Sequence, residues 1–152
     1  MAEKKTEVKA QKILMDDVAG IEKLGQSGTQ YYFDGPSTEI LEVFPNRTPD
    51  RDYVVSYYTD EYTARCPKTG QPDYGEILIE YVPDKWCIET KSLKLYIFAF
   101  RDVGIFMETA TNKILDDLVA VSKPKWMRVT AKFKPRGGII IEVVTEYGKK
   151  PV

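Results

Sequence analysis

Two turns rich in proline and glycine, each set between β-rich runs, constrain the fold of this chain more than any other feature. The first is Cys66-Pro67-Lys68-Thr69-Gly70-Gln71-Pro72-Asp73. Its prolines hold φ near one value, and its glycine and threonine favour turns, so the backbone there is largely preset. Before it, Tyr53-Val54-Val55-Ser56-Tyr57-Tyr58-Thr59 is rich in β-branched and aromatic residues and reads as a strand that can run on to Ala64. After it, Glu76 to Val82 reads as a second strand, stopped by Pro83-Asp84-Lys85. The pair is a hairpin with an enlarged loop. The second turn, Pro135-Arg136-Gly137-Gly138, joins two further strands. In Lys125 to Lys134, Trp126, Arg128, Thr130 and Lys132 alternate with Met127, Val129, Ala131 and Phe133, and Ile139 to Tyr147 follows the turn.

Between the hairpins the hydrophobic period changes to that of a helix. In Ser92 to Arg101, residues Leu93, Tyr96, Ile97 and Phe100 fall on one face, and Gly104 follows. From Phe106 to Val121, the stripe is Phe106, Ala110, Ile114, Leu118 and Val121, and Pro124 follows. Strand, strand, helix, helix, strand, strand predicts an α+β fold, a four-stranded antiparallel sheet covered by two helices. The first fifty residues are less regular. Asp16 to Leu24 reads as a short helix, and 34–51, with Gly35, Pro36, Pro45 and Pro49, as an extended arm. Leu41, Val43 and Phe44 are its contacts to the domain or to a neighbouring subunit. The expected organisation is an arm at 1–51, a catalytic domain at 52–148 and a tail at 149–152. An open four-stranded sheet has two unpaired edges, and Val54, Val55, Tyr57 and Tyr58 put apolar groups on both faces, so an oligomer is expected.

Composition narrows the chemistry. A chain of 152 residues suits one domain, and a net charge of −1 gives no general attraction to nucleic acid or to an anionic membrane. No run approaches the roughly 18 apolar residues of a membrane span. The polar start MAEKKTEVKAQK lacks an apolar segment after it, so no secretory signal is expected. Cys66 and Cys87 are expected as reduced thiols in a cytoplasm. There is no histidine, which excludes a Ser-His-Asp triad, a Cys-His pair and histidine-rich zinc sites within one chain. Proton transfer near neutral pH falls to Asp, Glu, Lys, Tyr, Cys or the substrate.

The candidates follow from that restriction. Cys66 is either a small buried hydrophobe or, on its turn beside Arg65 and Lys68, an activated nucleophile. Asp73 is either a turn former or the group that moves a proton. Glu89 either contacts substrate or caps the helix after it, and Glu108 is either a substrate contact or a solvated residue. Lys91 and Lys94 share a helix face near its start, where free N–H groups add to their charge on a phosphate. Arg136-Gly137-Gly138 offers a guanidinium and close backbone approach, or only a hairpin turn. No Gly-x-Gly-x-x-Gly follows a strand, so a nucleotide would sit in a site of another kind.

Three separated strings carry a resemblance. They are the cysteine turn, Glu89-Thr90-Lys91-Ser92-Leu93-Lys94-Leu95-Tyr96, and Pro135-Arg136-Gly137-Gly138-Ile139. With them the chain resembles the QueF family, in its short single-module form: NADPH-dependent nitrile reductases of the queuosine pathway. The resemblance implies the tunnelling fold, its ββααββ sheets joined into a ring, a decamer of two pentamers with active sites between subunits. It implies reduction of 7-cyano-7-deazaguanine to 7-aminomethyl-7-deazaguanine with two NADPH. It assigns Cys66 as nucleophile forming a thioimide and Asp73 as proton donor. Glu89 and Glu108 would bind the deazaguanine edge, with Ile88 and Thr90 lining the pocket, and Lys91, Lys94 and Arg136 would take the NADPH phosphates. Many family members have histidine where this chain has Met107, before Glu108 in the substrate pocket. The alternative activity is that of archaeal relatives, which form the thioimide but pass it to ammonia as non-reducing amidinotransferases.

Overall fold

The computed structural model describes residues 33–151, all within the unit Tyr31–Val152; the helix expected at Asp16 to Leu24 lies outside the described residues. A short 3-10 turn at Thr38–Ile40 leads into strand β1 (Val43–Pro45). Then come β2 (Val55–Arg65), β3 (Pro72–Val82), β4 (Trp86–Ile88), helix α1 (Thr90–Phe98), helix α2 (Met107–Ser122), β5 (Trp126–Arg136) and β6 (Ile139–Gly148). The main sheet is antiparallel in the order β2-β3-β5-β6, as the two-hairpin reading requires.

The helices cover one face of this sheet. Leu93, Tyr96, Ile97 and Phe100 are all buried, so the periodicity of α1 identified its inner face. In α2 the inner stripe is Ala110, Ile114 and Leu118, joined by Thr111 and Leu115. Phe106 does not belong to it: it caps the helix from outside and is 65% exposed. On β5, Met127, Val129, Ala131 and Phe133 point into the core beside Ile77, Ile79 and Tyr81 of β3. Each large apolar group buried there contributes roughly 1.5–3 kcal/mol relative to exposure. Tyr96 ties the helices together, its hydroxyl donating to Asp117 Oδ2 at 2.7 Å.

Gly75 shows how closely β3 and β5 pack. A Cβ at this position would sit 2.8 Å from Phe133 Cδ1 and 2.9 Å from the Lys132 carbonyl oxygen. The backbone oxygen cannot swing away as a side-chain tip can. Gly75→Ala is therefore expected to cost about 1–3 kcal/mol by overpacking, read as a lower midpoint in thermal or urea unfolding.

The segment 34–51 is more structured than an extended arm. β1 pairs with β4 through Val43↔Ile88, Phe44↔Cys87 and Pro45↔Trp86. Leu41 enters the core, and Phe44 stays half exposed. Glu42 N–H donates to Ser92 Oγ and the Glu42 carbonyl accepts from Glu89 N–H, both at 2.9 Å, so this segment grips the start of α1.

Two register shifts set which residues face the helices. β2 carries one extra residue between Thr59 and Tyr62, and β5 one between Phe133 and Arg136. Each bulge inverts the two-residue alternation beyond it. The first keeps Tyr62 and Ala64 on the helix side, and the second turns Arg136 to that side. The β5–β6 turn closes with Gly137 and Gly138 at φ 54° and 77°, the pair of positive values of a type I′ hairpin. β2 and β6 each have one neighbour only, leaving the two edges of the sheet open. No helix among the described residues is long and apolar enough to cross a membrane.

Candidate active site

Cys66 follows directly on the end of β2, and its turn is clamped from both sides. Its N–H donates to the Gln71 carbonyl at 2.8 Å, and its carbonyl accepts from Gly70 N–H at 2.9 Å. The α1–α2 connection runs alongside: Arg65 N–H donates to the Val103 carbonyl at 2.9 Å, and Ile105 N–H to the Arg65 carbonyl at 3.1 Å. Gly104 abuts Pro67 so closely that a Cβ there would lie 3.1 Å from its Cα. The thiol is thus partly exposed on a rigid support.

Hydrogen bonds lower the Cys66 thiol to about 7. The Thr69 hydroxyl contributes most, followed by the backbone N–H groups of Thr69 and Lys68, with a smaller part from the Arg136 side chain. The source differs from the flanking charges the sequence suggested. The Arg65 guanidinium is engaged by Asp102 Oδ1 at 2.9 Å and by the Gly70 carbonyl at 3.4 Å, and Lys68 acts through its backbone. A thiol in this range is substantially thiolate at neutral pH, the form that attacks carbon.

Asp73 lies beside it. It is the second residue of β3, not part of the turn, and pairs across the ladder with Ala64. Its side chain is only 7% exposed and accepts a hydrogen bond from Arg136 Nη2. Arg136 reaches it because of the β5 bulge. The thiol, the carboxyl and the guanidinium therefore come from three neighbouring strands at one end of the sheet. Glu108 is exposed in the first turn of α2, just past the connection that clamps the cysteine turn, while Met107 is buried in the core.

The other expected site residues stand elsewhere. The Ile88 carbonyl accepts from Tyr57 Oη, and the Ile88 N–H donates to Tyr81 Oη, both at 2.9 Å, so Ile88 and Glu89 lie at the opposite end of β2 and β3. From Tyr57 to Arg65 the strand spans about 25 Å. Glu89 caps α1: its two carboxylate oxygens accept from Lys91 N–H at 2.8 Å and Ser92 N–H at 2.7 Å. Those bonds, the Lys91 N–H first, hold its pKa below the usual glutamate range. They also use the helix N–H groups that the sequence reading left for a phosphate. Ile88 is fully buried, and Thr90 and Lys91 are exposed. Cys66 and Cys87 are both free and belong to opposite ends of the sheet, too far apart for a disulfide with each other.

A groove of about 680 Å³ runs between the open edge of β2 and α1, with Thr90 near one end and Arg101 near the other, and Lys94 between them. Lys94 and Arg101 make no ion pair among the described residues, and Arg101 stacks over Phe98 at 4.2 Å. Two unpaired cations in an elongated groove suit an anionic, phosphate-bearing ligand. Thr69 and Arg101 were not among the sequence candidates. A hydroxyl three positions after a turn cysteine, and an arginine seven positions after Lys94, are the signals by which they could have been found.

A turn-held thiol with a lowered pKa and a buried carboxyl group at the same end of a ββααββ sheet are the groups that covalent catalysis through sulfur uses. Comparison with known proteins narrows the class. Residues 72–152 match the family model described as QueF-like protein. The NADPH-dependent 7-cyano-7-deazaguanine reductase of Nitratidesulfovibrio vulgaris strain DP4 is 51% identical over 135 residues, covering 89% of this chain and 81% of that protein. The reductases of the same name from Bacillus licheniformis and Bacillus subtilis strain 168 are 50% and 47% identical, each over 88% of this chain and 80% of their own length. In three dimensions the chain is similar to the archaeosine synthase QueF-Like in its apo form, with TM-score 0.60 and 26% identity over 64% of this chain and 96% of that one. The chain belongs to the QueF family and has its tunnelling fold.

Proposed function

We propose that this protein reduces the nitrile of 7-cyano-7-deazaguanine to an aminomethyl group with NADPH, in the cytoplasm, where its thiol stays reduced. The observation that carries this reading is a thiolate-competent Cys66 beside Asp73 in a chain about half identical to reductases of that name. The similar archaeosine synthase, at 26% identity, supports the fold, and the reductases at about half identity favour reduction over the amidinotransferase alternative.

The chemistry needs both groups. A nitrile accepts hydride poorly. The Cys66 thiolate adds to its carbon, a C–S bond forms, one C–N π bond opens, and Asp73 supplies the proton that the nitrogen takes up. The thioimide so formed is a C=N group that accepts hydride. NADPH, when bound, supplies the two hydrides that the conversion from nitrile to amine requires. As the first reduced adduct collapses, the C–S bond breaks and the thiolate returns to its hydrogen bonds with Thr69. A second proton completes the four hydrogens gained by the product. Lys91, Lys94 and Arg136, with Arg101 in the groove beside Lys94, are the cations we assign to the cofactor phosphates, and Glu89 and Glu108 the carboxylates for the deazaguanine edge, with Ile88, Thr90 and Met107 about it.

One subunit cannot assemble this site. Glu89 and Thr90 stand about 25 Å along the sheet from Cys66. The open edges of β2 and β6 offer ladder bonds to a second copy, and a ring of such contacts would bring the Glu89 end of one subunit to the Cys66 end of the next. Mixing tests this. Cys66→Ala and Glu89→Gln are each expected to be inactive as pure assemblies. Unfolded together and refolded, they should recover about a quarter of wild-type activity, the share of interfaces with both intact halves. No recovery would contradict a site shared between subunits.

A further inference from the structure

We propose that the connection between α1 and α2 positions the nucleophile: Asp102 and Gly104 are positioning residues that, through Arg65 and Pro67, fix the cysteine turn against the start of α2, where Glu108 stands. The part given to Glu108 rests on the reductase reading; the brace itself rests on contacts within one chain. Arg65 ends β2 and pairs with Pro72 on its inner side. On its outer side the connection takes the place of a strand, with a parallel bridge between Arg65 and Gly104. Arg65 N–H donates to the Val103 carbonyl at 2.9 Å, and the Arg65 carbonyl accepts from Ile105 N–H at 3.1 Å. The Arg65 guanidinium donates to Asp102 Oδ1 from Nε at 3.3 Å and from Nη2 at 2.9 Å, and to the Gly70 carbonyl from Nη1 at 3.4 Å. Gly104 meets Pro67, where an added Cβ would lie 3.1 Å from the proline Cα. Asp102, Val103, Gly104 and Ile105 thus each touch the end of β2 or the turn that follows it.

Magnitudes separate positioning from stability here. An ion pair whose side chains are 49% and 74% exposed contributes little to folding. Its geometric effect is larger. One guanidinium spans the connection and the turn, and Gly70 N–H is in turn bonded to the Cys66 carbonyl at 2.9 Å. The turn is therefore held by the hairpin on one side and by the connection on the other. Three residues beyond Ile105 the chain reaches Glu108, in the first turn of a 16-residue helix whose buried stripe fixes it to the core. Cys66 and Glu108 then belong to one rigid unit. A substrate held by the Glu108 carboxylate meets the sulfur at a set separation, and such alignment matters because a misplacement of about 1 Å can cost about 10²-fold in rate.

The test compares wild type with Gly104→Ala, Asp102→Ala and Asp102→Asn. The rate of adduct formation on Cys66 is followed without NADPH over a range of 7-cyano-7-deazaguanine concentrations. Gly104→Ala forces Pro67 to give by a few tenths of an ångström, so the rate at saturating nitrile should fall roughly three- to tenfold with the half-saturating concentration unchanged. Asp102→Ala should lower it roughly two- to threefold, and Asp102→Asn, which keeps an oxygen for the guanidinium, should restore most of that. Asp102 is exposed, so its variants carry the test if Gly104→Ala does not fold. Alkylation of Cys66 by iodoacetamide, separated from Cys87 by peptide-resolved mass spectrometry, should change less than about twofold, because a small reagent needs no fixed alignment. An unchanged adduct rate, or an adduct rate and an alkylation rate that fall together, overturns the proposal. So does a raised half-saturating concentration with the maximal rate intact. A second arm needs no substrate: hydrogen exchange at the Cys66, Gly70 and Ile105 amides should quicken roughly three- to tenfold in Gly104→Ala while β5 keeps its protection. If the wild type forms no adduct, the reductase reading fails, and these exchange rates alone decide whether the connection holds the turn.

Discussion

Cys66→Ala is expected to abolish nitrile reduction while leaving the fold intact. Loss of a covalent nucleophile removes the only path by which the nitrile becomes a hydride acceptor, and the fall in turnover should be at least about 10⁴-fold. Stability should hardly change. Cys66 sits on a turn whose shape comes from backbone bonds to Gln71 and Gly70 and from Gly104 against Pro67, none of which involves the sulfur. A change at such a position usually stays within about 0.5 kcal/mol. Cys66→Ser should be equally inactive, because Thr69 cannot bring a hydroxyl to ionise near neutral pH as it does the thiol. Steady-state NADPH oxidation and a thermal melt on the same samples check both halves. Substantial activity in either variant would remove covalent catalysis from the account.

Asp73→Asn should separate nucleophilicity from turnover. General acid–base groups typically contribute about 10²–10⁴-fold, and that is the expected loss in kcat. The thiol should become more reactive, since the asparagine variant removes a nearby carboxyl group whose charge disfavours the thiolate. A variant that alkylates faster and reduces far more slowly identifies Asp73 as the proton-handling group. Equal losses in both would instead indicate that the carboxylate only holds the turn.

Much of this arrangement was legible from residue order. The inner face of α1 is the one its Leu93, Tyr96, Ile97 and Phe100 spacing predicts, and β5 alternates as its composition predicts. Those elements are long enough for periodicity to speak. β1 and β4 are three residues each, one ending in a proline, and pair only because the chain on either side is held to the core. No period exists over such a length. The two bulges were invisible for a different reason. A single extra residue leaves composition unchanged and shows only when the partner strand is aligned, yet it decides that Arg136 meets Asp73. Phe106 looked like part of the α2 stripe because the helix start cannot be located to a residue from spacing alone.

The site was legible as chemistry and less so as geometry. The absence of histidine, the turn cysteine and Asp73 pointed to a thiol working with a carboxyl group, and the strand register sets both at the same end of the sheet. The sequence left open whether Glu89 caps its own helix, as it does in the single chain, and could not show that Thr69 does what Lys68 and Arg65 were expected to do. Both depend on where short side chains reach in a turn or a cap.

The central claim is a thioimide on Cys66 that NADPH discharges by reduction. Intact-protein mass after incubation with 7-cyano-7-deazaguanine tests it most directly, first without cofactor and then with NADPH or with ammonia. The account predicts an increase equal to the mass of the nitrile on wild type and none on Cys66→Ala. NADPH should clear the adduct and yield the aminomethyl product, and ammonia should not. No adduct on the wild type, or an adduct that ammonia discharges and NADPH leaves in place, would contradict it.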